Sequence, residues 1–206
     1  MEGFNLKEHW ENIYNTKKLN EVSWYQPKPE TSIKIFNSFN LPKSAKIIDV
    51  GGGDSFFVDF LLDLNYGDIT VLDISKNSIK RAKLRLGQRA KDVKWIIGNS
   101  SCFQPTETYD FWHDRAAFHF LTKEDEIENY LATAHKNINQ SGILVLGTFS
   151  KQGPKKCSGI DIKQYSESTM TEKLKLYFKK IACLNVEHKT PFNTIQNFIF
   201  CTFKKA

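Results

Sequence analysis

Apolar positions recur along this chain at two spacings, and each change of spacing marks a change of element. Phe4, Trp10, Ile13 and Tyr14 share one face of a helix drawn over residues 5–17. A turn follows at WYQPKPE, and a second helix starts at Thr31 or Ser32 and stops before Leu41-Pro42. Short β-rich runs come next: AKIIDV (45–50), DITVLDI (68–74), VKWIIG (93–98), YDFWHD (109–114) and ILVLGTF, opened by Gly142. Stretches with helical spacing separate them. One fills about 54–65, and one is capped by Ser75 and ends near residues 87–89. A third starts with Thr122 and Asp125 as a capping box and runs to about 138. A loop with Gly153, Pro154 and Gly159 leads to a helix near 168–179 and two strands near 180–188 and 195–204.

Strand–helix alternation through five strands predicts an α/β fold: a doubly wound, mostly parallel sheet with helices on both faces. The last two strands are joined by a short connection, so they pair antiparallel, because a parallel crossover needs about a dozen residues or more. The prediction is a seven-stranded sheet with an antiparallel C-terminal hairpin strand. There is no internal repeat and no Pro/Gly-rich linker. Residues 1–206 read as a single domain, with an N-terminal helical cap over 1–40 and a Rossmann-like core over 45–206. No apolar run is long enough to cross a bilayer, and MEGFNLKEHWENIY lacks the basic head and apolar core of a signal peptide.

Charge and cysteine content narrow the partners. The net charge is +6, with mild basic clusters at KRAKLRLGQRAK (80–91) and KQGPKK (151–156). The first repeats at helical spacing and reads as a solvated helix face. A nucleic-acid footprint would be denser and interleaved with exposed aromatics, so nucleic acid is not the expected partner. Cys102, Cys157, Cys183 and Cys201 are scattered, with no CxxC pair and no zinc-ligand spacing. They read as reduced thiols in a cytoplasmic protein, and no metal site is expected.

The chemistry concentrates where the first strand ends. Ligands of open α/β sheets sit at the carboxyl ends of the strands. There Asp49 precedes Gly51, Gly52 and Gly53, and glycine lets a chain turn with positive φ or let a ligand touch backbone. A dinucleotide fingerprint G-x-G-x-x-G fails, because the sixth position from Gly51 is Phe56. Asp49 would repel a pyrophosphate and suits a cationic ligand. Asp73 ends the second strand, about 20 residues after Gly53, at the spacing of an acid that binds ribose hydroxyls.

With Asp49-x-Gly51-x-Gly53, VLDIS, IIGNSS and YDFWHDRAAFHFLT in this order, the chain resembles the class I S-adenosylmethionine-dependent methyltransferases. The resemblance covers about residues 45–149 well and the remainder loosely. It departs at Ser55, where the family usually has a third glycine. It implies S-adenosyl-L-methionine as cofactor and S-adenosyl-L-homocysteine as product. The implied cofactor set is Asp49 at the cationic methionine end, Gly51, Gly52 and Gly53 as bare backbone, and Asp73 with Ile74 at the ribose. Asn99 and Ser100 belong to the adenine, His113 to the strand beneath the methionine part, and Trp24 and Tyr25 to its cover. Asp114, Arg115 and His119 follow that strand and are the expected base or acceptor-orienting groups. Gln196 and a lid at 150–164 are further acceptor-side candidates. The acceptor reads as a small molecule or a protein. The alternatives are a non-catalytic cofactor- or nucleotide-binding scaffold and a nucleic-acid methyltransferase.

Overall fold

The β-rich runs all become strands of one sheet, and the order in which they pair creates the edge where a ligand can sit. The computed structural model describes residues 4–206; residues 1–3 of the expected cap lie outside the described residues. The helices are α1 (Leu6–Thr16), α2 (Glu30–Asn37), α3 (Phe57–Asp63), α4 (Lys76–Leu86), α5 (Glu124–Asn137) and α6 (Glu167–Leu174). The strands are β1 (Lys46–Val50), β2 (Asp68–Asp73), β3 (Val93–Ile97), β4 (Tyr109–Arg115), β5 (Ile138–Phe149), β6 (Lys156–Cys157), β7 (Ile160–Asp161), β8 (Phe178–Lys189) and β9 (Ile195–Lys205). Seven strands form one sheet in the order β3-β2-β1-β4-β5-β9-β8, while β6 and β7 make a separate small hairpin. β1 to β5 run parallel, β9 pairs antiparallel with β5, and β8 pairs antiparallel with β9. The topology therefore reverses between β1 and β4, and a crevice opens at their carboxyl ends.

Both faces of the central sheet are covered, which is why β1, β2, β4 and the second half of β5 are apolar on both sides, whereas the edge strand β8 is largely exposed. On one face Ile47, Val71 and Phe111 pack against α2 and α3 through Phe36, Phe57 and Leu61. On the other, Ile48, Trp112 and Leu144 pack against α5 and α6 through Ile127, Tyr130, Met170 and Leu174. Successive side chains of one strand thus belong to different cores, and this decides below which residues of β4 reach the crevice.

Local departures have local causes. Residues 52–56 form a turn rather than helix: Ser55 N donates to Gly52 O at 2.7 Å, and Ser55 Oγ accepts from Phe57 N. The capping box at Thr122 and Asp125 does not form; α5 starts after Lys123 without a side-chain cap, and Glu124, Asp125 and Glu126 supply the negative charge its first turn favours. β5 starts at Ile138, ahead of Gly142, through a register shift against β4 between Tyr109 and Phe111. The last helix is shorter than expected, α6 being capped by Ser166. No helix among the described residues is long and apolar enough to cross a membrane.

The four cysteines are not all reduced. Cys183 and Cys201 face each other across β8 and β9 and form a disulfide, leaving Cys102 and Cys157 free. Hairpin register brings together two residues whose linear spacing carries no signal. The thiol-based expectation of a reducing compartment loses two of its four cysteines. Thiol titration of the denatured, unreduced protein should find two reactive groups per chain; finding four would contradict the pairing.

Candidate active site

A cavity at the carboxyl ends of β1, β2 and β3 is lined by Asp49, Gly51, Gly52, Asp73, Ile74, Asn99, Ser100 and His113. Its floor is held from behind. His113 Nδ1 donates to Asp49 Oδ1 at 2.7 Å, and its Nε2 lies 2.9 Å from Ser32 Oγ, all of them buried. Asp49 Oδ2 is buried with no hydrogen-bond partner. Such an acceptor is costly unless something satisfies it, and a cationic or hydroxyl-bearing ligand would. Asp73 Oδ1 accepts from Ser75 N at 2.8 Å. Burial, opposed by hydrogen bonds from Ser75 and Ser78, pushes its carboxyl up to about 6. Asn99 Oδ1 accepts from Ser101 N at 3.0 Å, so the side chain also organises the turn after β3.

The glycines serve three different needs. Gly51 has φ +69°, in the left-handed region, and a Cβ there would lie 2.6 Å from Ala117 Cβ. At Gly52 a Cβ would overlap the Asp49 carboxylate, and at Gly53 the Asp73 carboxylate and the Ser78 hydroxyl. Gly53 does not itself line the cavity. Its smallness makes room for the acid, not for a ligand.

The N-terminal cap roofs the cavity. Trp10, Tyr14, Trp24 and Tyr25 all line it. Trp10 packs against Trp24 and Phe120 with ring centroids 5.5 and 5.2 Å apart, and Tyr25 lies 6.2 Å from Phe56. Polar ties fix this roof. Glu11 accepts from Ser75 Oγ (2.9 Å), Lys76 N (2.7 Å) and Asn77 N (3.0 Å), so α1 caps the N-terminus of α4 with a carboxylate. Partial burial raises its carboxyl, but the hydrogen bonds from Asn77, Lys76 and Ser75 prevail and hold it below the usual range. Arg81 Nη1 donates to Tyr14 O and Lys17 O, while its Nε pairs with Asp54 at 2.9 Å. Arg85 pairs with Asp54 and Asp59. Within the 80–91 cluster, expected to be a solvated face, these two arginines turn inward to the glycine turn and the cap. Glu11→Gln should speed tryptic cleavage at Lys17 and Lys18 about tenfold, since a hydrogen bond to a charged group is worth ~1.5–3 kcal/mol. Equal cleavage rates in limited proteolysis would show that the carboxylate does not secure the roof.

Of the three expected catalytic residues, the structure brings only Arg115 to the cavity. Period-two alternation sends Asp114 to the opposite face from His113. Asp114 is fully buried beneath α5, accepting from Ala117 N, Phe118 N and Tyr130 Oη. His119 is fully buried too, with Phe149 N donating to its Nδ1 and its ring against Phe149. Burial first, and the Arg115 charge second, push it down to about 3. Gln196 does not line the cavity either, but the 150–164 segment reaches it through Cys157. Asp54 and Arg81, which line the cavity, and Glu11 and Ser32, which brace it, are residues that pattern reading passes over. Only the Arg81–Arg85 pair carries a linear signal, an i, i+4 spacing whose partner Asp54 lies in the glycine turn.

Residues 47–142 match the family model described as "Methyltransferase domain". This stretch is a methyltransferase domain. The methyltransferase fold extends beyond it. A SAM-dependent methyltransferase from Anabaena variabilis superposes with a TM-score of 0.76 at 14% identity, covering 99% of this chain and 96% of that one. The N-methyltransferase NodS from Bradyrhizobium japonicum, solved with S-adenosyl-L-homocysteine, gives a TM-score of 0.69 at 14% identity over 98% and 99% of the two chains. In sequence, the chain is 26% identical over 126 residues to the mouse (Mus musculus) eEF1A lysine and N-terminal methyltransferase. That match covers 60% of this chain and 18% of the mouse protein, so the chain spans under a fifth of that relative's length. The fold is that of the class I S-adenosylmethionine-dependent methyltransferases, with the seven-stranded, mostly parallel sheet and the antiparallel C-terminal strand expected above.

Proposed function

We propose that this methyltransferase domain moves the methyl group of S-adenosylmethionine to a small-molecule acceptor held beneath the N-terminal cap. The observation that carries this is the pairing of a buried, unpartnered Asp49 Oδ2 with Asp73 at the ends of adjacent strands, under an aromatic roof. Asp49, oriented by His113 and Ser32, would take the cationic methionine end. Asp73 would accept from the ribose hydroxyls, and Asn99 and Ser100 would border the adenine. The cofactor supplies a methyl on a sulfonium that leaves as a neutral thioether. The protein therefore has no departing anion to stabilise, and its contribution is to align the acceptor in line and keep water out. Trp10, Trp24 and Tyr25 serve that exclusion. Among the described residues, the cavity's Asp49, Asp73 and His113 are taken up by the cofactor in this reading, and Cys157 lines it with a thiol that burial raises to about 11. An acceptor atom that already carries a free lone pair at neutral pH suits this arrangement.

A protein acceptor is the second reading, favoured by the name of the mouse relative. Incubation with methyl-labelled S-adenosylmethionine and a size-fractionated cell extract separates the two. Label in the small-molecule filtrate supports the first reading, and label in protein bands supports the second. Bound cofactor without labelled product would favour a scaffold.

A further inference from the structure

Arg115 is a cation built into the cavity without an anion. Its Nη1 donates to Trp24 O at 3.2 Å, and its guanidinium carbon lies 5.0 Å from the centre of the Phe198 ring. Its Nη2 is buried with no hydrogen-bond partner. No carboxylate lies within ion-pair distance of it among the described residues, whereas Arg81, Arg85 and Arg89 each have one. Asp114 faces α5, and Asp49, whose charge reaches Arg115 without ion-pair contact, gives one oxygen to His113 and leaves the other for the cofactor's cationic end. A buried cation and an unsatisfied donor each destabilise a fold, so a ligand that supplies an anion would complete the site. A guanidinium matches a carboxylate with two parallel hydrogen bonds.

Position in the sheet separates this group from the cofactor half. The cofactor acids lie on β1 and β2, while Arg115 ends β4 and leans the other way, across β5, onto Phe198 of β9. Trp24, whose carbonyl accepts from Arg115, lines the cavity as well. We infer that the acceptor carries a carboxylate or a similar planar anion, and that Arg115 binds it. Arg115 then orients the acceptor by its charge and is the residue that selects anionic acceptors. This rests on the methyltransferase reading above.

The probes are acetate, succinate and benzoate, each paired with its neutral amide. They are titrated by calorimetry into the full chain with and without saturating S-adenosylhomocysteine. At least one carboxylate should bind tenfold or more tightly than its amide. Arg115→Gln should abolish that preference while affinity for S-adenosylhomocysteine stays within about twofold, and Arg115→Lys should retain part of it. If Arg115→Gln does not fold, a preference undiminished in Arg115→Lys would itself overturn the assignment. So would no carboxylate outbinding its amide, or a preference that survives in Arg115→Gln. A tenfold or larger loss of S-adenosylhomocysteine affinity in Arg115→Gln would assign the guanidinium to the cofactor's own carboxylate and also end the proposal. Failure of S-adenosylhomocysteine to bind the wild type would instead defeat the methyltransferase reading, and the cofactor-free titrations would still report on Arg115.

Discussion

Asp73→Asn should lower affinity for S-adenosylhomocysteine about 100-fold or more, with no loss of stability in the ligand-free protein. The carboxylate is buried and raised to about 6, so the hydrogen bonds from Ser75 and Ser78 offset only part of the cost of its ionised form, and ligand donors would offset more. Two ribose hydroxyls donating to it would contribute ~1.5–3 kcal/mol each as hydrogen bonds to a charged group. Asparagine keeps the Oδ1 acceptor for Ser75 N and removes the desolvated charge. The pH dependence follows from the same shift. Wild-type affinity should rise as pH passes upward through about 6 and Asp73 ionises, and the Asp73→Asn profile should be flat there. Ligand-free stability has the opposite sign. The folded pKa lies above the ordinary aspartate value of 3.8, so the native state holds the extra proton between about pH 4 and 6, and this group's contribution falls as pH rises through that window. Calorimetry from pH 5 to 8 on both proteins checks all of this, and unchanged affinity in the variant would remove Asp73 from the ribose site.

Gly52→Ala, a single added methyl, should cost both binding and stability. The new Cβ would overlap the Asp49 carboxylate, which must swing away and give up its 2.7 Å contact with His113 Nδ1. Breaking a buried pair by displacing one partner costs about 3–5 kcal/mol. At about 2–4 °C per kcal/mol for a chain of this size, the melting temperature should fall by roughly 6–20 °C. Affinity for S-adenosylhomocysteine should fall about 100-fold in the molecules that remain folded, because Asp49 no longer faces the cavity. Gly67→Ala is the matched control, since a Cβ there meets nothing within 4 Å. Equal melting temperatures and affinities for Gly52→Ala and Gly67→Ala would show that the close approach at Gly52 does not matter.

The sheet was legible because β1 to β4 are short β-rich runs bounded by turn residues, and a short connection between β8 and β9 permits only one pairing sense. That Asp49, Gly51, Gly52, Asp73 and Asn99 would meet at one crevice was legible for a related reason: each sits at or just after the end of a strand, so position along the chain fixes position at that edge. What depends on side-chain direction or long-range register was not. The segment HDRAAFH places Asp114, Arg115 and His119 within six residues at the end of β4, yet alternation turns Asp114 away and burial removes His119. The glycines look equivalent in sequence, but Gly51 answers to a backbone conformation, Gly52 to Asp49 and Gly53 to Asp73. Glu11 gave no linear signal at all, because its partners at the start of α4 lie more than sixty residues away.

The central claim is that the crevice at the ends of β1, β2 and β3 is built for S-adenosylmethionine rather than for a dinucleotide. Calorimetric titration of the full chain with S-adenosylhomocysteine, and separately with NAD, tests it most directly. The account predicts one site per chain with micromolar affinity for S-adenosylhomocysteine and no detectable binding of NAD. No binding of S-adenosylhomocysteine, or tighter binding of NAD, would contradict it.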